Sequence, residues 1–251
     1  MPLSPELVAV AAPIVFVAYA VFGMTGFGAA MVAVPMLVQL IPLQVAVPLV
    51  VLFDLVATAM VGGKNWGSVS TPELKYLLPS MLLGIAIGVV LLHNVGPRWP
   101  LVGLGVFVLV VSVRNLLAGE SAARPRLPRV WSLPFGMAGG VFSALFGTGG
   151  PIYTIYLARR LSDVDHFRAT IAVVILLSGI SRAAAFGVAG LYGKDSILGL
   201  ACVLLPMSLL GLFVGSKART LVSPERLKRL VLLLLSAAGA GAIYRGLVAS
   251  G

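Results

Sequence analysis

Long apolar runs separated by short polar connections dominate this chain. Six of them, at roughly 43–63, 75–92, 99–118, 165–189, 195–215 and 227–248, each come near the ~20 residues that a helix needs to cross a hydrocarbon core. Two further stretches, 6–40 and 130–158, are each too long for one crossing and are interrupted by glycine. The first carries Gly23, Gly26 and Gly28; the second carries Gly147, Gly149, Gly150 and Pro151. Glycine and proline clusters at membrane depth mark broken helices or re-entrant hairpins, since backbone left unpaired there must be buried in protein or line a cavity.

The two broken stretches correspond. Thr25-Gly26-Phe27-Gly28-Ala29 lies 121 residues before Phe146-Gly147-Thr148-Gly149-Gly150. Further on, Pro79-x-x-x-Leu83-Gly84-x-x-x-Gly88 matches Pro206-x-x-x-Leu210-Gly211-x-x-x-Gly215 at a spacing of 127, and Pro97 matches Pro224. Gly-x-x-x-Gly faces alone imply only close helix packing, but shared Pro, Leu-Gly and Gly positions in one order indicate duplication. The boundary falls near the middle, giving repeats at 1–122 and 123–251 within one membrane unit.

Composition narrows the class. The 251 residues are 59% hydrophobic and only 10% charged, against about 25% charged in soluble domains. The mean hydropathy is +1.07, and the bilayer is the solvent that fits it. A net charge of +10 raises the question of nucleic acid. The cations, however, sit in short connections and not on a polar face interleaved with aromatics, so no nucleic-acid partner is expected. Glu6, with no Lys or Arg before the first apolar stretch, argues against a cleaved signal peptide. The single Cys202 reads as a packed core thiol.

Charge placement also sets orientation. If both broken stretches are hairpins, Lys64, Lys75, Arg124, Arg126, Arg129, Arg159, Arg160, Arg168, Lys217, Arg219, Arg226, Lys228 and Arg229 share one side. Only Arg98, Lys194 and Arg245 lie on the other, a division of 13 to 3; single crossings would give 9 to 7. The positive-inside rule thus favours hairpins over single crossings, with both termini outside, and a full double crossing by each stretch gives the same sidedness. Each half then crosses three times beyond its hairpin, an odd number, so the second half is inverted. The expected fold is an all-α polytopic membrane protein of two inverted-topology repeats, each a re-entrant hairpin followed by three transmembrane helices.

The chemistry is concentrated in few positions. Gly26, Phe27 and Gly28, and Gly147, Thr148, Gly149 and Gly150, lie at hairpin tips where backbone N–H groups and the positive ends of short helices suit an anion. The plainer reading of these glycines is a tight turn with close helix contact. Arg182 and Asp54 lie deep in spans, 128 residues apart and thus nearly equivalent in the two halves. Such residues are expensive in a membrane and require a reason. Either they pair with each other, or each faces a central cavity: Arg182 as a planar fork for anion oxygens, Asp54 as a coupling group. Tyr153, Tyr156, Ser143 and Thr25 are candidate hydroxyl donors to the cradle. His166 and Arg168, after Asp163 and Asp165, read as a solvated edge, and Trp66, Trp99, Trp131 and Tyr192 as interfacial anchors. No His-Glu-x-x-His, P-loop or Cys/His ligand set is present, so neither an enzyme nor a metal or other cofactor is expected.

The segments FGMTGFGAAMVAVPML and SALFGTGGPIYTIYL, with the later Pro…Leu-Gly…Gly repeats, resemble the TauE/SafE family of sulfite exporter-like membrane proteins over essentially the whole chain. The resemblance implies transport of a small sulfur-containing anion, sulfite or an organosulfonate, across a bacterial cytoplasmic membrane. It carries the family's motif glycines to Gly26, Gly28, Gly147, Gly149 and Gly150, with Pro151. The first copy has Ala29-Ala30 where the second has Gly150-Pro151. The leading expectation is a secondary transporter binding its anion between the tips, with Thr148 and Arg182, one half moving against the other. The alternatives are a passive anion channel and a non-transporting membrane enzyme or scaffold. The expected partners are the anion and the lipid bilayer, with a homodimer possible through the glycine-faced spans.

Overall fold

A computed structural model describes residues 4–25, 28–61, 66–94, 96, 98–117, 126–193, 197–218 and 224–248. Among these it is all helical. The broken stretches become α1 (Pro5–Thr25) with α2 (Ala29–Leu37), and α6 (Ser132–Phe146) with α7 (Gly150–Ala158). The six long runs become α3 (Leu43–Val61), α4 (Thr71–Asn94), α5 (Arg98–Leu117), α8 (Val164–Val188), α9 (Ile197–Ala218) and α10 (Pro224–Val248). Helices α1, α3, α4, α8 and α9 are long and apolar enough to cross a membrane, and α5 is apolar over Arg98–Val113. The chain is a polytopic helical membrane protein.

Both short helices have nine residues, and their starts at Ala29 and Gly150 stand 121 apart, the spacing of the glycine motifs. At 1.5 Å per residue each is only about 13 Å long, and the 15 residues of α6 reach about 22 Å, so none of these spans ~30 Å of hydrocarbon. The second stretch returns to its starting end: Arg129 before α6 and Arg160 after α7 both donate to Oε1 of Glu73, at 3.5 and 2.7 Å. The first stretch differs. Its α1 has 21 residues, long enough to cross alone, because the apolar run extends two half-exposed turns before Ala11.

Glycine fixes which helices touch. Helix α6 packs on α4, α1 on α9, α5 on α10, and α3 against α8. A Cβ built on Gly84 would fall on the Met137 carbonyl oxygen, and one on Gly88 would lie 2.8 Å from the Val141 carbonyl oxygen and the Ala144 Cβ. The matching Gly211 and Gly215 meet the carbonyls of Phe16 and Ala20 in the same way. Rising residue numbers meet rising numbers, so α4 runs parallel to α6 and α9 parallel to α1. Gly105 meets Gly239 and Ile243 while Gly246 meets Arg98 and Leu101, so α5 and α10 are antiparallel. The two Leu-Gly-x-x-x-Gly faces are therefore occupied within the chain and not free for a second copy.

Helix α1 is seated on α9 and α6 on α4, so helices from the two parts of the chain interlock. Cys202 is exposed on α9, not a packed core thiol.

Gly84→Ala and Gly211→Ala each place a methyl against a backbone carbonyl and are expected to cost about 1–3 kcal/mol. Gly96→Ala, with nothing within 4 Å of its Cβ, is the neutral control. Thermal unfolding in detergent checks the contrast.

Candidate functional site

The two helix breaks meet. Gly28, at φ 90°, is the N-cap of α2, and Gly147, at φ 72°, closes α6. Both conformations are left-handed and favour glycine. A Cβ on Gly147 would stand 2.8 Å from the Ala30 Cβ and 3.6 Å from the Arg182 Nη1, so the second tip abuts the first turn of α2. Gly26 and Phe27 lie outside the described residues.

The carbonyl end of α6 is capped twice. The N–H groups of Gly147 and Thr148 donate back to Ser143 and Phe142 at 2.8 and 3.5 Å, the reversal that ends many helices at a left-handed glycine. Arg182 then donates from Nη1 to the Ser143 carbonyl at 3.1 Å and from Nε to its own helix at Ser178, 3.3 Å. A guanidinium at the negative end of a helix is favourably placed. Arg182 is 4% exposed, yet no carboxylate among the described residues lies within 4.0 Å of it. It and Asp54 are not an ion pair.

Asp54 and Arg182 instead line one cavity of about 200 Å³. Gly28, Ala29 and Ala30 of the first tip line it, as do Gly147, Thr148, Gly149, Gly150 and Pro151 of the second, with Ser143, Tyr153 and Ser178. Phe22, Met31, Leu55, Ile175 and Leu176 supply apolar walls. Gly149 packs against Ser143, its Cβ position 2.8 Å from that side chain, whereas Gly150 has only Ile175 Cδ1, at 3.9 Å, before it. Ser143 Oγ and Ser178 Oγ share a hydrogen bond of 2.8 Å. The Thr148 Oγ1 is buried without a hydrogen-bond partner. The Tyr153 hydroxyl faces that serine pair without a bond of normal geometry.

Asp54 is held from behind. The fully buried Tyr19 donates its hydroxyl to Asp54 Oδ1 at 2.7 Å, with the Val50 carbonyl 3.1 Å away, and stacks edge-on against Phe53. Thr58, one turn past Asp54, and Ala172, Ile175 and Leu176, before Arg182, line the other end. That end belongs to the α3–α4 connection, where the Ser70 N–H donates to Thr170 Oγ1 at 2.9 Å.

Two expected contributors, Thr25 and Tyr156, fall elsewhere, while His166 lies at the solvated edge. Thr25 turns back to the Val21 carbonyl at 2.8 Å, as hydroxyls in helices do. Tyr156 donates to Glu73 Oε2 at 2.8 Å. His166 is exposed beside Asp163, whose carboxyl is held below its ordinary range by the His166 backbone N–H at 2.8 Å. Tyr192, expected as an interfacial anchor, buries its hydroxyl. Among the described residues no cluster of His, Cys, Asp and Glu is suited to a metal.

Sequence reasoning missed Tyr19, Ser178 and Glu73. The first two are ordinary residues in apolar runs and carry no signal of their own. Glu73 resembled an interfacial charge near a helix start, but it is 3% exposed and binds Arg160, Arg129 and Tyr156. Its hydrogen bonds hold the Arg160 guanidinium above its ordinary pKa. The carboxylate thereby ties both ends of the α6–α7 hairpin to α4.

Broken helices that meet at a buried cavity inside a helical membrane bundle are an arrangement that membrane transporters use. The chain matches the family model described as "Sulfite exporter TauE/SafE" over residues 11–242, and it belongs to that family. It is 34% identical over 193 residues to the "Probable inner membrane transporter protein TsaS" of Comamonas testosteroni, covering 76% of this chain and 80% of that protein. No solved structure matches it. These relationships point to a membrane transporter.

Thr148→Val removes a buried hydroxyl that has no partner, so the ligand-free protein is expected to be as stable or up to about 1 kcal/mol more stable. Ser178→Ala strands the Ser143 hydroxyl and is expected to cost about 1 kcal/mol. Thermal unfolding of the two variants reads the opposite signs.

Proposed function

We propose that this protein carries a small sulfur-containing anion, a sulfonate or sulfite, across the bacterial inner membrane, binding it between the two hairpin tips. One observation carries the reading: a buried guanidinium faces the cavity with no carboxylate in ion-pair range. A buried charge with no counter-ion at contact distance is costly, and an anion bound beside it lowers that cost. Around it stand the Thr148 hydroxyl and the N–H groups of Gly149 and Gly150, which have no acceptor among the described residues. The sulfur chemistry of the anion rests on the family and on the inner-membrane relative.

The same reading includes inverted repeats at 1–122 and 123–251. The packing supports it, because exchanging α1–α5 for α6–α10 turns the α1–α9 contact into α6–α4 and leaves α5–α10 and α3–α8 unchanged. If each long helix crosses once, α4 and α9 run oppositely, and so do α6 and α1, which lie parallel to them. Both termini then face outward, and the cavity's Thr58 end faces the cytoplasm.

A thermal-shift screen of purified protein against ethanesulfonate, taurine, sulfite and sulfate tests the proposal, since a ligand that binds only the folded state raises the melting temperature. Arg182→Ala is expected to weaken the best binder at least about tenfold, or ~1.4 kcal/mol. Arg182→Lys should also fall short, keeping the charge but losing the planar fork. No shift by any sulfur anion, or equal binding by both variants, would remove the site.

A further inference from the structure

We infer that Asp54 carries one proton for each anion bound, making the protein an electroneutral anion–proton symporter. The inference rests on the anion site proposed above and adds the coupling ion and the sense of coupling. Its starting point is geometric: one cavity of about 200 Å³ holds both Asp54 and Arg182 in its wall, and they are not ion-paired. Asp54 Oδ1 accepts from Tyr19, while Oδ2 has no partner among the described residues. Its charge is thus not fixed by a permanent counter-ion at contact distance.

Charge counting over the transport cycle then decides. An empty cavity holds the guanidinium cation and the aspartate anion and is neutral. A monovalent anion adds one negative charge. Moving that excess through a low-dielectric bundle is costly, and a proton on Asp54 cancels it. Loaded with anion and proton, or empty of both, the carrier is neutral; with only one of them it is not. Each ligand therefore favours the other, and the preference is reciprocal. The proton enters from water on the side where the anion binds, rests on an Asp54 oxygen, and leaves to water where the anion is released. No other bond is made or broken.

Among the described residues the surroundings offer no rival group. Facing Asp54 are Tyr19 from α1 and Arg182 from α8, with Tyr153 of α7 in the same cavity wall and Tyr192 beyond Arg182. Helices α2 and α6 contain no ionisable side chain. Helix α9 has Cys202 on its exposed surface and Lys217 in its last turn. On α4, Glu73 is already occupied by Arg160 and Arg129, while Lys75, Tyr76 and His93 are exposed. Tyr19 is a positioning residue. Its donated hydrogen bond aims the carboxyl.

Purified protein in liposomes, with labelled ethanesulfonate as the probe, tests this, because a strong acid stays anionic and cannot carry the proton itself. An inward gradient of about one pH unit should drive accumulation approaching tenfold, the limit for one-to-one coupling. A membrane potential of either sign should change the rate less than about twofold. Asp54→Asn is expected to exchange labelled for unlabelled ethanesulfonate but to lose gradient-driven accumulation. Tyr19→Phe, losing the donor to the ionised carboxyl, should move the pH profile of uptake to higher pH. Flux that ignores the pH gradient, follows the potential alone, or still accumulates in Asp54→Asn would overturn the inference while leaving the anion site standing. No ethanesulfonate flux in the parent protein under any gradient would overturn both.

Discussion

A helix that stops at membrane depth leaves carbonyls at one end and N–H groups at the next start, with no water to satisfy them. The rest of this structure follows from how those ends are treated. On the carbonyl side of the second break, a left-handed glycine folds the chain back and Arg182 closes the Ser143 carbonyl. On the N–H side, Gly149 and Gly150 are left open to a cavity. One side of the break is finished by the protein. The other is finished, in the function proposed, by the transported anion.

Such a break needs a rigid mount, and glycine provides it. Helix α6 comes within backbone contact of α4 at Gly84 and Gly88, and α1 does the same on α9 at Gly211 and Gly215. Where helices lie between lipid tails, no hydrophobic drive favours association, and close van der Waals contact takes its place. The Glu73 carboxylate adds a polar anchor at the base of the second hairpin, gathering Arg129, Arg160 and Tyr156 at one point. Arg245 does a related service for the first hairpin, donating to the Val38 carbonyl that ends α2.

Features that obey membrane rules were legible in the sequence. Hydrophobic length marked all six long helices, and glycine with proline marked both breaks. The short helices begin 121 residues apart, as the glycine motifs do. Asp54 and Arg182 stood out because charge within an apolar run is rare. What the sequence hid is relational. Tyr19 resembles any core aromatic until Asp54 is seen against it, and Thr25 and Tyr156 resemble site hydroxyls until their nearer partners are known. Whether Asp54 and Arg182 pair also depends on side-chain reach across two helices, which spacing along a chain does not encode. The packing of Cys202 failed for a similar reason: in a lipid-facing helix an apolar run does not say which face is inside.

The interlock also bears on how such a site changes sides. Helices α1 and α3 each pack on α9 and meet through Tyr19 and Asp54, while α4, α6 and α8 contact one another, each set drawing on both halves of the chain. Tyr19 and Asp54 belong to the first set, and their hydrogen bond lies wholly within it. Arg182, Ser143 and Ser178 belong to the second, as do their bonds. The cavity lies between the sets, with the carboxylate on one wall and the guanidinium on the other. Motion that opens it to one side or the other need break neither polar cluster nor either glycine seam. Motion of the first half of the chain against the second would have to tear both seams. In the function proposed, both polar clusters and both glycine seams thus lie inside the two mixed sets, and α3 against α8 is the main contact across the cavity between them.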